Sequence, residues 1–220
     1  LYVTLIFTIT VNNASSNDVM IGYLKRRFNN LKGTILEGKY LHMRCIAHII
    51  NLIVNDGLKE VGESISRIRA AIRYVRQSPS RFEKFKHCVL LEELEYKSGL
   101  CLDVPTRWNS TYLMLNAAQQ YEQAFERFDI KDRFYRSELE KGGGVPTEFD
   151  WENARKLCGF LCKFYELTLR VSGSSYITSN LHLHEISKVL EGLNKMQLSD
   201  DIQLQNMAIR MQEKYDKYWG

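Results

Sequence analysis

The sequence predicts an α+β fold that is predominantly helical, on three observations. Residues Leu1 to Val11 are rich in Val, Ile, Thr, Tyr and Phe and lack Gly and Pro, the composition of a strand buried on both faces. A turn at Asn12-Asn13 leads into a segment where Val19, Met20, Tyr23, Leu24 and Phe28 recur at helical spacing. Beyond residue 44 the apolar pattern is helical almost throughout, in a chain of 220 residues that is 45% hydrophobic with three prolines, enough to bury a sizeable core.

Each later element follows from its own spacing. Ser15, Ser16 and Asn17 supply cap chemistry for the first helix. A short extended stretch over 39–43 leads into a helix on which Cys45, Ile49, Leu52 and Ile53 share a face. Ile65, Ile68, Ile72 and Val75 form one apolar stripe, and Pro79 ends that helix. Met114, Ala118, Tyr121, Phe125 and Phe128 step by fours and threes, the seam of a long helix starting near Arg107. Gly142-Gly143-Gly144-Val145-Pro146 reads as a linker, followed by a helix carrying Trp151, Ala154, Cys158, Leu161 and Tyr165. Thr178 or Ser179, and then Ser199, are the expected caps of two final helices. The segments so divided are 1–44, 45–141 and 142–220.

Charge narrows the partners. The net charge is +4, but residues 1–110 hold 16 basic and 10 acidic side chains against 14 and 16 in residues 111–220, so a polyanion should prefer the first half. Five cysteines, an odd number in a chain of this length, point to free thiols in a reducing compartment. The apolar run Leu1 to Val11 falls short of the ~20 residues that span a bilayer, so no membrane is expected as a partner. No P-loop, dinucleotide fingerprint, HExxH or GxSxG occurs, which disfavours the commonest nucleotide, metalloprotease and esterase chemistries.

Three constellations carry candidate chemistry. Cys45-x-x-His48 places a thiol and an imidazole on one helix face, where they can share a metal or form a nucleophile and base pair. A structural zinc needs four ligands, and His42, His87, Cys88, Cys158 and Cys162 offer no second pair at finger spacing beyond Cys158-x-x-x-Cys162, so no metal is assigned. Arg67, Arg69, Arg73, Arg76, Arg81, Lys84 and Lys86 put seven cations within twenty residues against Glu83 alone. Arg69, Arg73 and Arg76 lie on one stripe suited to tracking phosphates, and a solvated helix face is the other reading. In Asp103-Val104-Pro105-Thr106-Arg107-Trp108-Asn109-Ser110 a rigid turn meets a helix start. An exposed Trp108 there would stack on an unpaired base while Arg107 holds a phosphate. Residue types alone favour Trp108 in the core with Arg107 against a neighbouring carboxylate.

Taken together, Thr10-Val11-Asn12-Asn13-Ala14-Ser15-Ser16-Asn17-Asp18, Leu41-His42-Met43-Arg44-Cys45-Ile46-Ala47-His48-Ile49-Ile50-Asn51-Leu52 and Leu102-Asp103-Val104-Pro105-Thr106-Arg107-Trp108-Asn109-Ser110-Thr111 resemble plant hAT-superfamily transposases. The C-terminal Lys214-Tyr215-Asp216-Lys217-Tyr218-Trp219-Gly220 looks like the domesticated branch of that family with BED zinc fingers. The resemblance covers essentially the whole chain. It implies a partial RNase H-like core in 1–44 followed by an all-α insertion with the Cys-x-x-His and Arg-Trp motifs in 45–141, then a helical RNase H-fold-associated region in 142–220.

The resemblance also implies chemistry. Family catalysis uses three carboxylates that hold Mg2+ or Mn2+ for phosphoryl transfer on DNA. The first Asp is expected upstream of Leu1 and the Glu downstream of Gly220, and the second falls on Asn12, where members read Asp-Asn-Ala. A neutral amide is a poor bridging ligand, so no cofactor and no intact catalytic residue are expected in this chain. Cys45 and His48 match the motif next to the active site, with His48 meeting DNA near the scissile phosphate. Arg107 and Trp108 match the Arg-Trp motif, whose Trp stabilises a flipped base. The expected function is a catalytically inactive, DNA-binding piece of a nuclear, hAT-derived protein, with Arg69, Arg73, Arg76, Arg107 and His48 as DNA contacts and Trp108 as a stacking platform. Homodimerisation is expected through a C-terminal segment outside this chain. A piece of an active DNA transposase and a helical protein-interaction scaffold are the alternatives.

Overall fold

A computed structural model describes residues 5–96, 99–172 and 182–219. The chain opens with β1 (Ile9–Val11), α1 (Ser15–Asn30) and β2 (His42–Arg44), and the two strands pair in parallel with Ile9 opposite His42 and Val11 opposite Arg44. The helices α2 (Ile46–Gly57), α3 (Gly62–Arg76), α4 (Pro79–Leu91), α5 (Trp108–Ala118), α6 (Glu122–Lys131), α7 (Tyr135–Glu140), α8 (Glu148–Val171), α9 (His182–Gln197) and α10 (Ile202–Trp219) follow. Short 3-10 turns join α2 to α3 and α5 to α6.

The stripes read from the sequence build the core. Ile65, Ile68, Ile72 and Val75 are all buried on α3, and Met114, Ala118, Tyr121, Phe125 and Phe128 are all buried along α5 and α6. An aromatic chain links five helices. Tyr74 meets Tyr135 at 5.3 Å, Phe128 meets Tyr135 at 5.3 Å, Phe85 meets Phe125 at 4.6 Å and Phe125 meets Trp151 at 5.5 Å between ring centroids. One buried cluster runs from Ile49 to Tyr215, so the core continues across the glycine turn at 142–144. At the crossing of α2 and α10, a Cβ on Gly57 would lie 2.6 Å from Met211 Cγ, so only glycine allows the two helices to approach this closely.

Several expectations need correction. The leading strand is shorter and less buried than its composition suggests: of the described residues only Ile9–Val11 form β1, and Leu5 and Phe7 are about half exposed. Among the described residues it pairs with β2 over three residues, with one further bridge from Ile6 to Thr34, so the two-stranded sheet offers little surface for burial. On α1 only Ile21 is buried, and Val19 is 75% exposed, because the helix packs against little more than the connector to β2. The residue at the start of α1 is Ala14 and no side chain caps the helix; Asn12 instead accepts from the Ala14 N–H at 3.1 Å and shapes the turn. Pro79 both follows α3 and occupies the first turn of α4, where its missing N–H is harmless. The long helix near Arg107 is broken by the 3-10 turn Gln119–Tyr121 into α5 and α6. Asp201, not Ser199, caps α10: its carboxylate accepts from the Gln203 and Leu204 N–H groups at 3.0 and 3.2 Å. The expected cap at Thr178 or Ser179 lies outside the described residues.

The start of α8 shows how the linker is fixed. Thr147 and Asp150 form a reciprocal capping box. Arg67 on α3 reaches the buried Asp150 carboxylate at 3.0 Å through Nη1 and the Gly143 carbonyl at 2.9 Å through Nε, while Gly143 and Gly144 take φ of 115° and 98°. Burial alone would raise the Asp150 carboxyl. The Thr147 backbone N–H, the Ser64 and Thr147 hydroxyls and the Arg67 charge outweigh it and hold the group below the usual carboxylate range. A depressed folded pKa stabilises fully above the unfolded value of about 3.9, and that contribution is lost as pH falls through the folded value. Asp150→Asn is therefore expected to lose about 1.5–3 kcal/mol at pH 7. In urea denaturation its deficit relative to the parent should shrink toward pH 3; a pH-independent deficit would contradict this role.

Candidate nucleic-acid interface

The strand pair and the first turn of α2 bring one group of candidate residues together. Cys45 directly follows β2, its N–H donates to the Val11 carbonyl at 2.9 Å, and it serves as the residue preceding α2. Asn12 follows β1 and is exposed, so Asn12 and Cys45 emerge side by side at the C-terminal ends of two parallel strands, with His48 in the first turn of α2. This is the end of an α/β sheet at which ligands bind. Cys45 is thus at the helix boundary, not one turn inside the helix with His48. The Asn12 amide oxygen accepts from the Ala14 N–H at 3.1 Å and from the Asn17 amide at 2.5 Å. The one carboxylate within 9–18 and 42–48 is Asp18, whose Oδ1 lies 3.7 Å from His42 Nδ1. Among the described residues no three His, Cys, Asp or Glu side chains gather closely enough to hold a metal ion. All five cysteines are free, and burial pushes the Cys158 thiol up to about 12.

The Arg-Trp segment is built by a second network. Asp103 is nearly fully buried and receives both arms of Arg69, Nε and Nη2 each at 2.7 Å, together with the Thr111 hydroxyl at 2.7 Å. Burial pulls its carboxyl upward, but the Arg69 and Thr111 hydrogen bonds prevail and keep it below the usual range. The Arg107 N–H closes a turn onto the Val104 carbonyl at 2.8 Å with Pro105 inside it, and the Ser110 hydroxyl bonds back to Val104. Trp108 is 1% exposed and packs in the core. In this geometry its ring is not a stacking platform, contrary to what the resemblance implies and in keeping with its residue type. Arg107 is exposed and makes no ion pair among the described residues.

The basic run on α3 and α4 is largely engaged with groups of the fold itself. Arg69 holds Asp103, and Arg76 donates to the Leu100 carbonyl and lies 5.9 Å from the Phe82 ring. Both therefore pin the segment before α5 and are not a free stripe for phosphates. Lys84 pairs with Asp132, Lys86 with Glu83, and Arg81 stacks 3.8 Å over Tyr74. Arg73 remains exposed and makes no side-chain hydrogen bond or ion pair among the described residues.

The uncompensated charge lies elsewhere. Residues 1–44 contain six cations against Asp18 and Glu37, whereas residues 45–220 contain 24 basic and 24 acidic side chains. Lys25, Arg26, Arg27, Lys32, Lys39 and Arg44 are all exposed, and none makes an ion pair among the described residues. The concentration is diluted in the first 110 residues as a whole, because residues 45–110 carry 10 basic and 8 acidic side chains. Among the described residues no helix is long and apolar enough to cross a membrane.

Comparisons with known proteins agree on one lineage. Residues 43–160 match the family model for the ZBED1 RNase-like helical domain, and residues 180–220 match that for the hAT-like transposase, RNase-H fold. The chain is 35% identical to zinc finger BED domain-containing protein RICESLEEPER 2 of Oryza sativa subsp. japonica, over 97% of this chain and 29% of that protein. It is 32% identical to the Zea mays protein named for the AC transposase, over 97% of this chain and 26% of that protein. Against DAYSLEEPER of Arabidopsis thaliana it is 29% identical, over 97% of this chain and 30% of that protein. The chain thus spans less than a third of each of these relatives.

With Trp108 packed in the core, Trp108→Ala should cost about 3–5 kcal/mol in urea denaturation. A change within about 0.5 kcal/mol, the usual surface value, would return Trp108 to the solvent.

Proposed function

Because the chain belongs to the hAT transposase family, with relatives among the plant BED-finger proteins, we propose that it is the DNA-binding part of a hAT-derived nuclear protein and is catalytically inactive by itself. The observation that carries the reading is the exposed, unneutralised charge of residues 1–44 beside strand ends that present Asn12, Cys45 and His48. Lys25, Arg26, Arg27 and Lys32, with Arg73 and Arg107 on the helical body, are suited to phosphate oxygens, which position a duplex without reading its sequence. Arg69, Arg76 and Trp108 act one step back, by holding the segment that presents Arg107.

The inactivity rests on donor chemistry. Family members use divalent cations to activate the attacking oxygen, and such cations need concentrated anionic oxygen. The residues here do not fit that demand: Asn12 offers a neutral oxygen already bonded to two donors, and Asp18 faces His42. Exposed apolar side chains on the strand unit, among them Leu5, Phe7, Val19 and Met43, support packing against further elements from outside this chain. Homodimerisation through a segment outside this chain belongs to the same reading.

Binding of duplex and hairpin DNA, followed by fluorescence anisotropy across a salt series, tests the proposal. Affinity should fall linearly on a log-log plot, and joint Arg26→Gln and Arg27→Gln should flatten the slope by about 2. No binding at low salt, or binding indifferent to salt, would overturn DNA recognition. Strand cleavage by the unmodified chain with Mg2+ or Mn2+ would overturn inactivity, and Asn12→Asp alone should restore none.

A further inference from the structure

We propose that a groove between β2 and the last turn of α10 is a separate site for unpaired DNA, which it holds by stacking bases on tyrosine and tryptophan rings. The inference rests on the DNA-binding reading and adds to it a strand state and a second surface. The groove has a volume of about 280 Å3, near the lower end of small-ligand pockets, and its lining includes Lys39, Tyr40, His42, Arg44, Tyr218 and Trp219.

The chemistry of the lining identifies the occupant. Tyr40 is 49% exposed, so a ring face is available without any rearrangement of the core. Trp219 is braced by Tyr215 at 5.2 Å and edge-on, which fixes its ring from the side of the core. Cations stand beside the rings: Lys39 Nζ is 5.3 Å from the Tyr40 centroid, the Arg44 guanidinium is 5.7 Å from that of Tyr218, and Lys217 Nζ is 5.8 Å from the same ring. None of these three cations has a carboxylate partner among the described residues, in contrast to most cations of the helical body. His42 Nε2, in the wall of the groove, is buried and has no hydrogen-bond partner.

Aromatic faces interleaved with unneutralised cations match a strand whose bases are free to stack while its phosphates stay within reach. A duplex cannot use such a site, because its bases are already stacked on one another. An acidic peptide would use the cations and leave the rings idle.

Tryptophan fluorescence reads this site directly. Of the three tryptophans, Trp108 and Trp151 are each 1% exposed, so quenching by a bound base reports Trp219. Titration of the chain with an oligothymidylate at low salt should give saturable quenching, and an abasic strand of the same length should give none. Tyr40→Ser, at a half-exposed position outside the core, should weaken the oligothymidylate by at least about fivefold and leave duplex affinity unchanged. Tyr218→Leu, which keeps apolar bulk, should also weaken it.

Duplex binding with no quenching by oligothymidylate would overturn this inference alone. Failure to bind any DNA would overturn the proposed function and the groove together. Quenching that Tyr40→Ser and Tyr218→Leu leave intact, or tighter binding of oligouridylate than of oligothymidylate, would also reject the site as drawn.

Discussion

A buried carboxylate stays ionised only where donors surround it, and this requirement decides which cations the protein has left for a partner. Asp103, Asp132, Asp150 and Glu185 are each almost wholly buried. Arg69 answers the first, Lys84 and the Tyr74 hydroxyl the second, Arg67 the third, and Arg170 with Lys188 the fourth. Each answer commits a lysine or arginine to a carboxylate of the fold, and Arg67, Arg69 and Lys84 tie distant segments together in doing so. The helical body, with equal numbers of acids and bases, thereby comes close to internal neutrality. The strand unit has too few acids to do the same, so its cations stay in solvent.

The two halves of this arrangement meet at α2. That helix begins where β2 ends, and its far end crosses α10 at Gly57, where the backbone alone leaves room for Met207 and Met211. The strand end at Cys45 is therefore carried on a helix whose other face is locked into the core by Ile49, Ile50, Ile53 and Val54, and Asn12 sits beside it through the pairing of β1 with β2. By contrast α1 contributes almost nothing to that core, which leaves its charged surface free to face a polyanion. Rigid presentation and free charge thus come from different elements of the same unit.

What was legible in the sequence was what local spacing encodes. The stripes on α3 and along α5 and α6, the break at Pro79 and the turn at Pro105 all depend on neighbours within a few residues, and all are present. The family motifs were legible as well, since three ordered segments outweigh any single one. Partner choice across the fold was not. Arg69 finds Asp103 from 34 positions away and Arg67 finds Asp150 from 83, so a run that reads as an exposed basic stripe is in part a set of internal clamps. Trp108 shows the same limit from the other side: a motif names the residue, but its burial is set by packing that no motif records. Of the strand expected over Leu1 to Val11, residues 1–4 lie outside the described residues, and the described part is strand only at Ile9–Val11, because a strand composition is buried only if something lies on both of its faces.

Lysine acetylation read by mass spectrometry, with and without bound duplex DNA, tests most directly the claim that neutralisation inside the helical body leaves the strand unit as the DNA-facing charge. Lys25 and Lys32 should lose reactivity on binding, while Lys84, Lys86 and Lys156, each already paired with a carboxylate, should react as before. Protection of the paired lysines with Lys25 and Lys32 still reacting freely would contradict the account.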